Sequence, residues 1–360
     1  MVAVPTAAIP VLFIFSIMSD MTFKMAVATN VGLVRSNNED NFIVNPDLSQ
    51  KDAWFPPVNG GAVLSLGEFG CLLVVADGMG GMNAGEVASA IAIDTIKEEF
   101  SAADLKNIKG TLGRIEKFMS SVVEKADDNI KKKGKEDSST SGMGTTVVMA
   151  WIVDAVAHIS WCGDSRAYLF NPASGLIRLS KDHSYVQQLV DEGKLDEELA
   201  FDHPESNIIT RSLGDSYKKA EADFVTRHLT EGDRILLCSD GLCGLCRDEE
   251  ILKVMMSNAE NIEICRNELI AAALDAGGYD NVTVALFETV SVPKEEGDIT
   301  LTSNEMVESA KRKKKGRIIL IAVLAVIVAV VVWLYVSGKF PDVIVLLKNI
   351  WTELSSNINK

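Results

Sequence analysis

The chain has 360 residues, 47% of them hydrophobic, and a formal net charge of -15. This length and apolar content suffice for a large buried core and exclude a disordered polypeptide, while the acidic balance argues against nucleic acid as a partner. Six cysteines in a chain of this size do not form a secreted disulfide framework, so they suit a reducing compartment.

Residues 1–21 form an apolar N-terminal extension. The extension contains Pro5 and Pro10 and lacks the basic start that a signal peptide normally has. Because Met21 and Met25 follow immediately, we favour the interpretation that the start codon has been assigned too far upstream, over a second membrane segment.

Strands and helices alternate in the first part of the main domain. Apolar runs predict strands at 23–31, 41–45 and 70–76. The third of these strands ends at Asp77 and is typical of a strand buried on both faces. A helix with an apolar stripe from Val87 to Phe100 follows, and a second helical pattern runs from Leu112 to Lys132.

The middle of the chain is strongly β. The runs Thr145 to Val153, Val156 to Trp161 and Arg166 to Phe170 predict an antiparallel meander. Residues 184–224 are polar and lack a long apolar run, as expected of a flap over a site. The remaining elements are predicted as strands at 234–238 and 281–287, with helices at 248–257 and 261–276 between them.

The C-terminal part predicts a membrane anchor. Residues 291–317 form a polar and then basic linker, and Ile318 to Val336 are nineteen residues without a charge or a proline. Such a segment is long enough for one transmembrane helix, and the Lys and Arg residues before it place the preceding domain in the cytoplasm. The tail, 337–360, has apolar residues at helical spacing and is either a short amphipathic helix or a weakly ordered tail.

Acidic turns carry the chemical signal. The Asp residues sit in tight turns at the ends of predicted strands, where hard oxygen ligands can converge on a metal. Oxygen ligands favour Mg or Mn over Zn, and two such ions can activate a bridging water and clamp a phosphate. Arg35 lies four residues before Glu39 and is suited to bind that phosphate.

Seven motifs occur along the chain from about Thr22 to Glu288. Their order and spacing resemble those of the metal-dependent serine/threonine protein phosphatases. This is the PPM or type 2C family, and the match is nearest to its bacterial branch. One such motif would mean little, whereas seven in order are strong evidence. The motifs are Arg35-Ser-Asn-Asn-Glu-Asp-Asn41, Val75-Ala-Asp-Gly-Met-Gly-Gly81, Gly142-Met-Gly-Thr-Thr146, Cys162-Gly-Asp-Ser-Arg166, Thr210-Arg-Ser-Leu-Gly214, Cys238-Ser-Asp-Gly-Leu242 and Asp280-Asn281.

The resemblance implies a binuclear Mn or Mg centre. Asp77 would bridge the two ions and the carbonyl of Gly78 would bind one of them, while Asp240 and Asp280 would bind the other. Asp164, together with Asp240, matches a position that can hold a third and weaker ion.

The resemblance also implies the catalytic residues and the fold. Glu39 and Asp40 would hold metal-bound waters, and Arg35 would grip the substrate phosphate. The implied fold of residues 22–290 is α+β, with a central antiparallel β-sandwich flanked by helical layers, in the order α-β-β-α.

One departure from the eukaryotic members concerns the leaving group. Met79 stands where those members carry a histidine that is thought to protonate it, and a thioether cannot donate a proton. Bacterial relatives share this Met, so a metal-bound water would serve as the acid. His183 is the only histidine near a matching motif, and we favour a structural or flap-positioning role over an acid role for it.

The resemblance implies an enzyme that hydrolyses phosphoserine and phosphothreonine in proteins by direct attack of a metal-bridging water. The expected partners are phosphorylated proteins, a serine/threonine kinase that opposes the phosphatase, and the membrane. Two alternatives stay open: a membrane-anchored pseudophosphatase scaffold, and a phosphoesterase that acts on a small molecule.

Overall fold

The computed structural model describes residues 21–50, 53–54, 61–80 and 84–292. The strands are β1 (Thr22–Asn30), β2 (Asn41–Asn45), β3 (Leu64–Ser65), β4 (Cys71–Ala76), β5 (Gly78–Met79), β6 (Gly144–Thr145), β7 (Val147–Val153), β8 (Val156–Cys162), β9 (Arg166–Asn171), β10 (Gly175–Arg178), β11 (Asp223–His228), β12 (Arg234–Cys238) and β13 (Val282–Ser291). The helices are α1 (Gly85–Ala102), α2 (Leu105–Ile108), α3 (Leu112–Glu136), α4 (Tyr185–Asp191), α5 (Glu197–Ala200), α6 (Asp240–Cys243), α7 (Asp248–Ser257) and α8 (Ile262–Asp275), and a 3-10 turn covers Ser138–Thr140.

The strands form two large antiparallel sheets. The first sheet has the order β10-β9-β12-β13-β1-β3, and the second has the order β11-β8-β7-β4-β2. A separate two-stranded ribbon pairs β5 with β6. The longest ladder joins β1 to β13, from Thr22 opposite Ser291 to Asn30 opposite Val282, so the first and last strands of the domain lie side by side.

Three apolar cores lie between four layers. In β4, Leu73 and Val75 belong to the core between the two sheets, whereas Leu72 and Val74 belong to the core under α1 and α3. Because both faces are buried, β4 is a continuous apolar run rather than an alternating one. The third core joins the first sheet to α7 and α8. These layers confirm the predicted α-β-β-α sandwich.

The predicted meander is wrong in its last strand. β7 and β8 pair as expected through a turn in which Asp154 and Ala155 have positive φ, but β9 pairs with β10 and β12 in the other sheet. Gly163, with a φ of +123°, lies in the turn that takes the chain from one sheet to the other. The apolar pattern of a strand is the same whether the turn before it leads to a neighbouring strand or to the other sheet. The sequence pattern therefore does not show that the chain changes sheets here.

Two other elements differ from the sequence predictions. Helix α3 continues to Glu136, four residues beyond the predicted end, because the lysine-rich stretch still favours a helix. Strand β11, at the edge of the second sheet, was not predicted because most of its side chains are half-exposed or exposed. The rest of the predicted flap contains only the short helices α4 and α5 before that strand.

In the ranges that the structure describes, no helix combines the length and apolar character needed to cross a bilayer. The predicted span at 318–336, the tail at 337–360, most of the linker and nearly all of the N-terminal extension lie outside those ranges.

Candidate active site

Four of the predicted site aspartates lie at strand ends that the two sheets bring together. Asp40 precedes β2 and Asp77 follows β4, which are antiparallel neighbours in the second sheet. Asp240 follows β12 and Asp280 precedes β13, which are antiparallel neighbours in the first sheet. In an antiparallel pair the end of one strand meets the start of the next, so each sheet contributes two carboxylates.

Asp77 is buried close to three other carboxylates, which affect its pKa. Burial raises the pKa of Asp77 well above its ordinary value, and the negative charges of Asp240, Asp40 and Asp164 raise it further. Burial and the charge of Asp280 likewise raise the pKa of Asp240. The site therefore concentrates negative charge where water has been excluded.

Asp40 is held by two hydroxyl groups from the first sheet. Its Oδ2 accepts hydrogen bonds from Ser239 Oγ and Thr283 Oγ1, both at 2.7 Å. Its Oδ1 is buried and has no hydrogen-bond partner among the described residues. Burial raises the pKa of Asp40 to about 7, although the two hydrogen bonds lower it. One oxygen is thus fixed and the other faces the site unpaired.

The Gly-Thr-Thr motif positions Asp77 through its backbone. The carbonyl of Asp77 accepts hydrogen bonds from the Thr146 N–H at 2.9 Å and from Thr145 Oγ1 at 2.8 Å. The Asp77 N–H donates to Thr146 Oγ1 at 3.2 Å, and that hydroxyl lies 2.7 Å from Ser165 Oγ. The turn that carries Asp77 is therefore joined to the turn that carries Asp164.

Asp164 occupies the crossing between the sheets, where His183 holds the turn. His183 Nδ1 accepts the N–H of Gly163 at 3.1 Å, and the His183 N–H donates to the Gly163 carbonyl at 2.9 Å. Burial lowers the pKa of His183, which favours the neutral ring that this contact needs. These contacts fit the predicted positioning role for His183.

Glu39 and Gly78 meet at the start of α1. The Glu39 carbonyl accepts hydrogen bonds from the Gly78 N–H at 3.2 Å and from Ser89 Oγ at 2.7 Å. A Cβ at Gly85 would approach the Gly78 carbonyl carbon to 2.8 Å as well as Glu39 Oε2 to 2.6 Å, so a side chain there would force the backbone of this turn to shift. Burial raises the pKa of the Glu39 carboxyl, and the nearby Arg35 lowers it in part.

Arg35 lies at the outer edge of the site. Its side chain is 52% exposed, and its Nη2 donates to Asp280 Oδ2 at 2.7 Å. That hydrogen bond raises the pKa of Arg35 above its usual value. A guanidinium in this place is charged, reachable by a ligand and close to the acidic cluster.

A cleft of about 500 Å³ opens onto Asp164, Asp240 and Asp280. Its other walls come from the flap, from α6 and from the segment leading into α7. Arg247, at the start of α7, lies over the ring of Phe201 at 4.3 Å and pairs with Asp202, so surface contacts tie this part of the flap to α7.

The residues present fit divalent cations. Asp40 Oδ1 and Asp164 Oδ1 are both buried without a hydrogen-bond partner in the described ranges, and such oxygens need a cation or a proton nearby. Among the described side chains, no three metal-binding groups already stand in ligand geometry, and Asp77 and Asp240 lie close enough for each to shift the pKa of the other. A proton between two carboxylates relieves the repulsion that cations would otherwise relieve.

Sequence reasoning missed the residues that hold the carboxylates. Asn281 accepts the Glu39 N–H at 2.7 Å, and its amide group donates to the carbonyls of Val31 and Asn37, both at 2.9 Å. It thereby ties the loop of Arg35 to the turn of Asp280. Asn281, Ser239 and Thr146 all occur within the quoted motifs, so their position beside the aspartates was the available signal.

Metal-free protein is expected to lose stability as the pH rises from about 5 to about 8. Because the folded-state pKa of Asp40 is about 7, above the ordinary value of 3.8, the folded chain keeps a proton that the unfolded chain releases. This contribution is fully present below about pH 4 and is lost as the pH passes 7. Urea melts in chelator across this range measure it, with added Mn as the control. Equal stability at pH 5 and pH 8 in chelator would contradict the expectation.

Comparison with known proteins identifies the family. The family model described as protein phosphatase 2C matches residues 50–276. The chain is 32% identical over 263 residues to a serine/threonine phosphatase, stp, of Listeria monocytogenes, covering 72% of this chain and 93% of the relative. It is 32% identical over 281 residues to the protein phosphatase PhpP of Streptococcus pneumoniae, covering 76% of this chain and 100% of the relative.

Solved structures agree in fold. The serine/threonine phosphatase of S. agalactiae has a TM-score of 0.63 at 30% identity and matches 74% of this chain and 99% of its own. The catalytic domain of PstP, solved in complex with two manganese ions, has a TM-score of 0.60 at 30% identity and matches 75% of this chain and 100% of its own. The chain therefore belongs to the protein phosphatase 2C family.

Proposed function

We propose that this protein hydrolyses phosphoserine and phosphothreonine in other proteins at a centre of two Mn or Mg ions. The observation that carries the proposal is the convergence of buried carboxylates from both sheets, two of which have unpaired oxygens, beside an exposed arginine. The relatives named as serine/threonine phosphatases and the manganese complex of PstP support the same activity.

The residues divide into ion-holding and substrate-holding groups. Asp77, Gly78, Asp240 and Asp280 would hold the two ions, and Asp164 would contribute to a third and weaker site. When bound, the ions supply activation of a water molecule and neutralise charge on the phosphoryl group.

Glu39 and Asp40 would orient water at the centre. Asp40 has only Oδ1 free for this purpose, because Ser239 and Thr283 occupy Oδ2. The Glu39 carbonyl accepts hydrogen bonds from Gly78 and Ser89, and these bonds hold the residue in place. Its carboxyl group is therefore available to bind water. Pre-oriented acceptors of this kind lower the cost of positioning the attacking water.

Arg35→Ala is expected to raise KM for a phosphopeptide about tenfold with a smaller change in kcat, because the guanidinium contacts the phosphate before and during the reaction. Arg35→Lys should recover part of the loss, since it keeps the charge but not the planar fork. Steady-state kinetics with Mn present measure both constants. Unaltered kcat and KM in Arg35→Ala would show that another group binds the phosphate.

We further propose that the predicted span at 318–336 anchors the enzyme to a membrane with its catalytic domain in the cytoplasm. The support is the uncharged nineteen-residue run and the basic cluster before it. Substrates would then be phosphoproteins near the membrane, and a serine/threonine kinase would oppose the phosphatase. Membrane fractionation of cells that express the full chain, with and without residues 318–336, tests the anchor. Recovery of both forms in the soluble fraction would refute it.

The activity itself is tested by phosphate release from a phosphothreonine peptide with full-length protein in Mn, in Mg and in chelator. Release that requires a metal and is lost in Asp77→Asn would support the proposal. Release that continues in chelator, or no release from folded protein with either metal, would refute it.

A further inference from the structure

A group of exposed apolar side chains borders the candidate active site. Leu33, Val34 and Tyr279 are 68%, 63% and 62% exposed. Leu33 and Val34 directly precede Arg35 in the chain, and Tyr279 directly precedes Asp280. We call these three side chains the apolar rim. Tyr279 also lines the cleft that opens onto Asp240 and Asp280.

The loops that carry the apolar rim are braced against each other. The Leu33 N–H donates to the Gly278 carbonyl at 2.7 Å, and a side chain at Gly278 would approach Leu33 Cγ to 2.8 Å. Asn281 donates to the Val31 carbonyl at 2.9 Å and so fixes the same loop from the other side. The exposure of these side chains is therefore a feature of a rigid surface.

The concentration of apolar exposure at this place is unusual for the molecule. In the described ranges, thirteen large hydrophobic residues are exposed, and four of them, the apolar rim and Val31, lie within four residues of Arg35 or Asp280. Single exposed hydrophobics need no explanation, but a rigid group beside a polar site indicates binding. None of these side chains is needed to hold the carboxylates, which are held by hydroxyl and amide groups.

We propose that the apolar rim binds an apolar side chain of the substrate protein, immediately next to the phosphorylated residue. The inference rests on the proposed phosphatase activity and specifies its substrate class. Consecutive Cα atoms are 3.8 Å apart, and the rim residues directly precede Arg35 and Asp280 in the chain, so a peptide whose phosphate reaches Arg35 can place a neighbouring residue at this edge of the site. Substrates with Leu, Ile, Val or Met beside the phosphothreonine are then preferred over those with Ser or Asp there.

A peptide segment is favoured over a membrane surface as the occupant. Tyr279 of the apolar rim directly precedes Asp280, and the chain as a whole carries a net charge of -15. An anionic lipid surface would be repelled by these charges, whereas a peptide already positioned by its phosphate needs only one apolar contact.

The test compares two phosphothreonine peptides that differ only in Leu or Ser beside the phosphothreonine, placed before it in one pair and after it in another. We expect wild-type full-length protein with Mn to prefer the Leu member of one pair about tenfold in kcat/KM, the size expected for one well-packed apolar contact. In the double variant Leu33→Ser, Tyr279→Ser, the ratio of kcat/KM for that peptide to kcat/KM for p-nitrophenyl phosphate should fall about tenfold. Leu112→Ser, at an exposed position on α3, is the matched control and should keep the wild-type ratio.

The same peptides are also titrated into Asp77→Asn protein, so that the preference can be measured without turnover. Equal kcat/KM and equal binding for Leu and Ser members of both pairs would overturn the apolar rim as a substrate site. Loss of binding to vesicles of anionic phospholipid in the double variant, with the peptide preference intact, would also overturn it in favour of a membrane contact. No hydrolysis of any ester by wild-type protein would refute the phosphatase activity instead, while a Leu preference in binding would still support the rim.

Discussion

Asp77→Asn is expected to lower turnover of a phosphothreonine peptide by about a thousandfold or more while the protein stays folded. Asp77 is the carboxylate around which Asp40, Asp164 and Asp240 are grouped, and it ends the buried strand β4. An amide is a weaker metal ligand than a carboxylate and carries no charge, so the ions that Asp77 would hold are expected to bind more weakly to the variant. Initial rates in saturating Mn measure the loss, and Asp154→Asn, in an exposed turn after another strand, is the matched control.

The stability of Asp77→Asn provides a second readout. Because burial, and then the negative charges around it, raise the pKa of Asp77 in the folded chain, the metal-free variant should be more stable than the metal-free wild type at pH 8. Added Mn should then raise the Tm of the wild type but hardly that of the variant, since a ligand that binds the folded state stabilises it only when its concentration exceeds its Kd. A variant with wild-type rates, or with the full Mn-dependent rise in Tm, would contradict the assignment of Asp77 as a shared ligand.

Asp127→Ala is expected to lower the free energy of unfolding by about 3 kcal/mol. Asp127 lies on α3 and is fully buried; its carboxylate accepts the N–H of Gly214 at 2.8 Å and the N–H of Ala220 at 3.0 Å, and it pairs with Lys131 at 2.7 Å. Removing the carboxylate leaves two buried N–H groups without an acceptor, while the Lys131 ammonium group keeps only its hydrogen bond to the Lys218 carbonyl. Urea unfolding at pH 7 measures the change.

The same variant is expected to reduce turnover, because Asp127 supports the active site through the backbone. Leu213, beside Gly214, exchanges hydrogen bonds with Thr145 at 3.1 and 2.9 Å, and Thr145 in turn donates to the Asp77 carbonyl. Asp128→Ala, one residue along the same helix and exposed, is the control and should change neither stability nor turnover by much. If Asp127→Ala were as stable as Asp128→Ala, the buried carboxylate would not be the anchor of the 214–220 loop.

Sequence patterns located most of the regular structure. The strand that ends at Asp77, the helix that begins near Gly85, and the helices predicted at 248–257 and 261–276 all occur within one or two residues of their predicted bounds. Each has a local pattern, either a continuous apolar run or an apolar stripe at helical spacing. Such a pattern can be recognised without knowing which other elements the segment packs against. Strand β11 has no such signal, because its ladder with β8 is made at a half-exposed edge.

The family, the sandwich fold and the candidate carboxylates could be predicted from short motifs, because the order and spacing of these motifs are visible along the chain. The folded structure was needed to show that β9 joins the other sheet, that Ser239 and Thr283 hold Asp40, and that Leu33 and Tyr279 border one site. The physical reason is separation: Ser239 lies 199 residues and Thr283 lies 243 residues from the carboxylate that they hold. Contacts of this kind depend on how two sheets pack face to face. The pattern of apolar residues within one strand does not predict which hydroxyl group will contact which carboxylate.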